Sequence, residues 1–117
     1  QMKEDNTLDD VGRAIENVAK SKNLGIVRNY GGHGVGRKMH EEPFVYNYST
    51  GSNIKLKHGM TIAIEPMLNL GCYDVYTLDD QWTVVTCDKK PSAHFEHTVC
   101  VTNDEPILLT QYDETLL

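Results

Sequence analysis

Three separate segments of the chain each carry one side chain that binds divalent metals well. His33 lies in the glycine-rich run 31–36, Glu65 follows the apolar run 61–64, and Glu96 stands between two histidines. One imidazole and two carboxylates form a mixed nitrogen and oxygen set, which suits Zn, Mn, Co or Fe better than an all-cysteine site or an all-oxygen calcium cage does. We therefore predict a divalent-metal site formed by these three residues.

The glycine-rich run around His33 is compatible with two kinds of site when taken alone. Four glycines in six positions let the backbone bend sharply and carry the imidazole with little bulk around it, but such a loop could also cradle a phosphate. The spacing lacks the last glycine of GxGxxG, and Arg37 and Lys38 stand where a P-loop needs Lys followed by Ser or Thr. A loop that presents His33 is the better interpretation.

Two other short patterns resemble metal motifs and are rejected. His40 and Glu41 begin like HExxH, but the second histidine position is Phe44, and Pro43 would break the helix that the motif needs. The pair His94 and Glu96 resembles the HxE of zinc deaminases, but no PCxxC follows.

Glu65 and Glu96 lie in or next to apolar, β-rich segments, where an unpaired carboxylate would carry a large desolvation cost. Arg or Lys partners are the usual compensation. Because one cation would satisfy both carboxylates together with His33, metal binding is the better explanation for the set as a whole.

The composition is that of one small globular domain. The chain has 117 residues, 39% hydrophobic and 24% charged, with a net charge of -6. Scattered Lys and Arg argue against direct nucleic-acid binding, and no apolar run approaches the roughly 20 residues that span a bilayer. Three widely spaced cysteines and a polar N-terminal run without signal-peptide features favour a reducing cytoplasm and no membrane.

The pattern of apolar residues predicts an α+β unit, with one helix followed by a mostly antiparallel sheet. The helix is expected over 8–22, with Thr7 and Asp10 in capping-box positions and Gly25 as its stop signal; Asp9 and Asp10 are explained by the helix dipole. Turns are expected at 57–59 and 79–81. Strands are expected at 61–64, 75–78, 83–87, 97–101 and 107–110.

The motifs, in their order along the chain, resemble the C-terminal half of a methionine aminopeptidase, and the resemblance covers nearly the whole sequence. Glu-Pro-Met at Glu65 favours this enzyme over prolidases, which tend to have Glu-Pro-Gly. The 30 residues between Glu65 and Glu96 leave no room for the helical insertion of the eukaryotic second class, so the short bacterial type fits best. The segments that carry the resemblance are 30–37, 40–43, 59–67, 82–83 and 92–98.

This resemblance implies half of a pita-bread fold, with one N-terminal helix and a curved, mostly antiparallel sheet. It also implies two divalent metal ions (Co, Mn, Fe or Zn) per complete site, with His33 and Glu65 on one and Glu96 bridging to the second. A water molecule made acidic by the metals would attack the scissile carbonyl. The reaction would remove the initiator methionine from nascent polypeptide N-termini, near the ribosome.

The resemblance further implies roles for single residues. Glu65 would also be the proton shuttle, and His40 would hydrogen-bond the substrate amide and its tetrahedral intermediate. Trp82 would form a wall of the methionine pocket, with Met39 and Tyr30 nearby. From composition alone, however, Trp82 is most simply a core aromatic, and Tyr30 and Met39 could equally serve packing.

The sequence departs from the family in one respect. The family also needs an earlier histidine and two aspartates about a dozen residues apart on a hairpin, and Asp5, Asp9 and Asp10 match neither the spacing nor the element. We therefore expect residues 1–117 to be the C-terminal half of a catalytic domain, with three of five metal ligands and little activity without the missing N-terminal half. The alternative is a pita-bread module that has lost catalysis and binds peptides or proteins.

Overall fold

The computed structural model describes residues 1–111, and its elements follow the α+β order expected from the sequence. One helix, α1 (Leu8–Ser21), precedes ten short strands, and no helix in the described residues is long and apolar enough to cross a membrane. The strands are β1 (Gly25–Ile26), β2 (Gly32–Gly34), β3 (Glu41–Val45), β4 (Thr61–Ile64), β5 (Met67–Asn69), β6 (Val75–Thr77), β7 (Val84–Thr86), β8 (Ser92–His94), β9 (His97–Cys100) and β10 (Ile107–Leu108).

Local hydrogen bonds set both ends of α1. The Thr7 hydroxyl accepts from the Asp10 backbone N–H, and the Asp10 carboxylate accepts from the Thr7 backbone N–H, so the predicted capping box is present. At the other end, Asn23 takes the left-handed conformation (φ 54°), and the Leu24 N–H donates to the Ala19 carbonyl. Gly25 is therefore the wrong stop signal, because the helix ends at Ser21, four residues earlier, and Gly25 belongs to β1.

Asp9 does more than interact with the helix dipole. Its buried carboxylate accepts hydrogen bonds from the backbone N–H groups of Thr50 and Gly51 and from the Ser49 hydroxyl, and it pairs with Arg13. These bonds lower the pKa of Asp9 to about 2, with the Gly51 bond as the largest contribution. The helix is thereby tied to a loop 40 residues away.

A five-stranded antiparallel sheet carries most of the site. Its strand order is β10-β9-β4-β2-β3, so β4 lies in the centre, paired with β2 on one side and β9 on the other. The core joins this sheet to the helix. Its buried members are Met2, Leu8, Val11, Val45, Leu56, Ile62, Val99 and Val101.

Two smaller antiparallel sheets flank this core. One has the order β1-β5-β8 and pairs Met67 of β5 with His94 of β8. The other is the hairpin β6–β7, whose turn includes Gln81 in the left-handed conformation (φ 58°). The hairpin predicted around 79–81 is therefore confirmed, as is the turn at 57–59, where the Met60 N–H donates to the Lys57 carbonyl.

The strand predictions hold where β-branched residues are dense and fail where they are not. The five predicted strands coincide with β4, β6, β7, β9 and β10, and every end agrees within two residues. The sequence analysis did not predict strands β1, β2, β3, β5 and β8.

The segment around His33 is a strand rather than a sharply bent loop. A Cβ on Gly32 would lie 2.0 Å from the Ala63 carbonyl oxygen, so the glycine is needed for close strand approach. Pro43 lies in β3, at the sheet edge where a strand tolerates proline.

Candidate metal centre

Strand order brings the three predicted metal ligands together. His33 lies in β2 opposite Ala63 of β4, and Glu65 immediately follows β4. Glu96 immediately precedes His97, and His97 pairs with Ile64, the last residue of β4. The two glutamates therefore occupy neighbouring ends of adjacent strands, with the histidine on the other side of the central strand.

One ligand atom from each of these residues lies within 4.8 Å of the other two. In the described part of the chain, they form the one group of three or more His, Cys, Asp or Glu residues with this geometry. His33 and Glu65 are half-buried, whereas Glu96 is exposed. The expectation that both glutamates are desolvated is therefore wrong for Glu96, because its segment lies in the exposed connection between β8 and β9.

The orientation of the His33 ring identifies the atom that is free to bind. Its Nδ1 lies 2.9 Å from the Gly34 carbonyl oxygen, and since that oxygen can only accept, Nδ1 carries the proton in this contact. In the neutral ring, Nε2 then presents a lone pair, and it lies 3.3 Å from Oε1 of Glu65. Two acceptor atoms at this separation need a shared cation or proton, so the donor set fits a divalent metal ion.

Among residues 1–111, neither glutamate is neutralised by Lys or Arg, because no nitrogen of these residues forms an ion pair with Glu65 or Glu96. Glu65 instead has an imidazole near each oxygen: Nε2 of His33 near Oε1, and Nε2 of His94 3.4 Å from Oε2. The contact from His94 was not predicted, although its position two residues before Glu96 in an extended segment was a usable signal.

A cavity of about 540 Å³ opens beside His33 and Glu65. The ring of His40 lies against that of His33, with centroids 4.2 Å apart. Tyr30 lines the cavity as well, together with two apolar side chains, Phe44 and Met67, that the sequence did not single out. Met67 belongs to the Glu-Pro-Met motif, but no motif predicts that either residue lines a cavity, since that depends on strand pairing.

Met39 and Trp82 do not line this cavity, and their side chains are 74% and 87% exposed. Trp82 follows the turn of the β6–β7 hairpin, where its backbone N–H donates to the Asp80 carboxylate. The interpretation of Trp82 as a core aromatic is therefore wrong.

Comparison with known proteins agrees with this geometry. A model of metallopeptidase family M24 matches residues 1–103. The chain belongs to this family. Methionine aminopeptidase from Clostridium perfringens is 49% identical over 107 residues, which are 91% of this chain and 43% of the relative. The resemblance predicted from the motifs is thus confirmed, and the chain spans less than half the length of the curated relatives that it matches.

Solved structures show the same fold. Methionine aminopeptidase from Rickettsia prowazekii matches with a TM-score of 0.88 and 43% identity, over 93% of this chain and 45% of that one. The enzyme from Thermotoga maritima matches with a TM-score of 0.89 and 42% identity, over 94% and 45%. The predicted α+β, pita-bread architecture is therefore confirmed for the part of the fold that this chain spans.

Proposed function

We propose that this chain contributes His33, Glu65 and Glu96 to the metal site of a methionine aminopeptidase, which removes the N-terminal methionine from nascent polypeptides. The observation that carries the proposal is the 3.3 Å separation between Nε2 of His33 and Oε1 of Glu65, with Glu96 close by and no Lys or Arg of residues 1–111 in an ion pair with either carboxylate. Membership of family M24 supports the same conclusion.

The donor set suits Co, Mn, Fe or Zn, and we propose two such ions in the complete site. His33 and Glu65 would hold one ion, and Glu96 would bridge to the other. A divalent metal ion bound here would acidify a water molecule and polarise the carbonyl of the bond to be cut.

The side chains of this chain supply the proton handling and the substrate contacts. Glu65, half-buried beside the cavity, would take the proton of the attacking water and pass it to the leaving amine. His40, exposed to the same cavity, would donate to the substrate amide and to the oxyanion of the tetrahedral intermediate.

The methionine side chain would enter the cavity next to these groups. Tyr30, Phe44 and Met67 offer apolar surface there, which suits an unbranched thioether. Met39 and Trp82 are exposed and free to contact substrate from outside the cavity lining, so we retain both as substrate-binding residues.

We further propose that residues 1–117 correspond to the C-terminal half of the catalytic domain, with the remaining two of five ligands supplied by a companion half. None of the three aspartates upstream of His33 joins the ligand group, and Asp9 is committed to Arg13 and the loop at 49–51. Since the described cysteines are free thiols, a reducing cytoplasm near the ribosome suits the proposal.

The first experiment measures metal content. After dialysis against Co²⁺ or Zn²⁺ and then metal-free buffer, the 117-residue chain should retain metal, and His33→Ala should lose it. His58→Ala, at an exposed turn histidine, is the matched control and should behave as wild type. Retention by His33→Ala would contradict the proposed site, and no metal at any pH would favour the non-catalytic binding module.

The second experiment measures methionine release from Met-Ala-Ser. The chain alone should be nearly inactive, because removing part of a catalytic constellation costs orders of magnitude in rate. A companion segment that carries the two missing aspartates should restore turnover. Robust turnover by the isolated chain would refute the half-site proposal.

A further inference from the structure

The Glu65 carboxylate lies between imidazoles that come from two different sheets. His33 belongs to the five-stranded sheet and faces Oε1, whereas His94 belongs to the β1-β5-β8 sheet and faces Oε2 at 3.4 Å. The Glu65 side chain is only 15% exposed, so water has limited access to it. One imidazole from each sheet therefore faces this carboxylate.

A metal-binding carboxylate is set in place by what its other oxygen contacts. If a metal ion takes Oε1 of Glu65 together with Nε2 of His33, then Oε2 needs a hydrogen-bond donor to keep the carboxylate from rotating. Among the described residues, no hydrogen bond reaches Oε2, and the ionisable nitrogen that faces it is Nε2 of His94 at 3.4 Å.

Strand pairing keeps His94 at this position. It ends β8 opposite Met67, which stands two residues after Glu65, and the next residue, Phe95, donates its backbone N–H to the Pro66 carbonyl at 3.5 Å. The backbone around His94 is thus held against the segment that follows Glu65.

We propose that His94 is a positioning residue for Glu65. Its Nε2–H donates to Oε2 and orients the carboxylate so that Oε1 stays directed at His33. The inference rests on the proposed metal site and adds to it a residue that would tune metal affinity without itself being a ligand.

Two substitutions of His94 separate donation from mere bulk. His94→Leu keeps a side chain of similar size but removes the donor, whereas His94→Gln keeps an N–H at about the same reach. His58→Leu is the matched control for the loss of one imidazole from an exposed site. Circular dichroism and thermal unfolding check that each variant remains folded.

Titration of the 117-residue chain with Co²⁺, followed by its visible absorption, measures affinity and ligand geometry together. We expect His94→Leu to raise the Kd about 10- to 100-fold and to change the absorption bands, as losing such a contact typically does. His94→Gln should restore both the affinity and the bands, and His58→Leu should match wild type.

Other outcomes distinguish a failure of the positioning role of His94 from a failure of the metal site. If wild type binds Co²⁺ and His94→Leu binds it equally well, or if His94→Gln is as weak as His94→Leu, the positioning role is refuted while the metal site stands. If Co²⁺ binds neither to the wild-type chain alone nor to the chain combined with a companion segment that carries the two missing aspartates, the proposed metal site fails.

A metal-free measurement keeps the inference about His94 separately testable. Imidazole ¹⁵N shifts should show the Nε2-protonated tautomer at His94 in wild type. Replacing Glu65 with Gln should weaken that preference. A tautomer protonated on Nδ1 in the wild-type chain would overturn the inference whatever the outcome of the Co²⁺ titration.

Discussion

The five-stranded sheet and the β6–β7 hairpin are held in different ways. The sheet shares a buried core with α1 and contributes Val45, Ile62 and Val99 to it. The hairpin contributes no residue to that core, and its turn is held by Asp80, which accepts hydrogen bonds from Trp82 and Thr83. The proposed metal ligands on or beside the sheet therefore depend on contacts distant in sequence, whereas Trp82 is positioned by its immediate neighbours.

The largest expected difference between these regions is in how much a truncated side chain lowers the free energy of unfolding. Ile62 is 1% exposed, so Ile62→Ala should lower the free energy of unfolding by about 2–5 kcal/mol. Val84 in the hairpin is 36% exposed, and Val84→Ala should cost less than about 1 kcal/mol. Urea unfolding of both variants measures the difference, and equal losses would show that the hairpin is part of the same core.

A glycine substitution tests whether the sheet tolerates bulk near the ligands. In Gly32→Ala, the new Cβ would lie 2.0 Å from a backbone carbonyl, so β2 and β4 must separate, at a cost of about 1–3 kcal/mol. Gly36→Ala is the matched control, because its Cβ meets the movable carboxylate of Glu41. Urea midpoints and Co²⁺ affinity should both fall for the first variant and change little for the second.

The two regions should also differ in acid. Folding lowers the pKa of Asp9 to about 2, so its contribution to stability is fully present above about pH 4 and disappears as the pH falls toward 2. Urea midpoints from pH 5 to pH 2 should therefore fall, and Asp9→Asn should make that fall shallower. Other carboxyls with lowered pKa values, such as Asp10, would retain part of it.

The same pH series can be measured for a carboxylate of the hairpin, Asp80. Its pKa is also lowered, chiefly by the hydrogen bond from the Thr83 hydroxyl, but its bonds close only a local turn. Asp80→Asn should leave the global unfolding profile close to wild type at every pH. A loss matching that of Asp9→Asn would contradict the contrast between the regions.

The smallest expected effect is that of Trp82→Ala on stability. Because the side chain is 87% exposed, the free energy of unfolding should change by less than about 0.5 kcal/mol. In a complete, active enzyme, the same change should raise the KM for Met-Ala-Ser if Trp82 contacts substrate. A large stability loss would mean that the indole packs against the protein in solution.

The sequence was sufficient where a residue's neighbours in the chain decide its structure. The capping box at Thr7 and Asp10, the turn at 79–81 and the β-branched strand ending at Ile64 were all predicted, because their hydrogen bonds or side-chain patterns are local. The candidate metal ligands were also chosen from the sequence, since the chemistry of an imidazole or a carboxylate belongs to the residue itself.

Tertiary structure decided which of these groups meet. The order β9-β4-β2 brings His33, Glu65 and Glu96 together, and the pairing of β5 with β8 places His94 beside Glu65. Phe44 and Met67 line the cavity, whereas Trp82 lies exposed beside the hairpin turn. Strand order and register arise from packing the whole core at once, so short motifs read separately do not contain them.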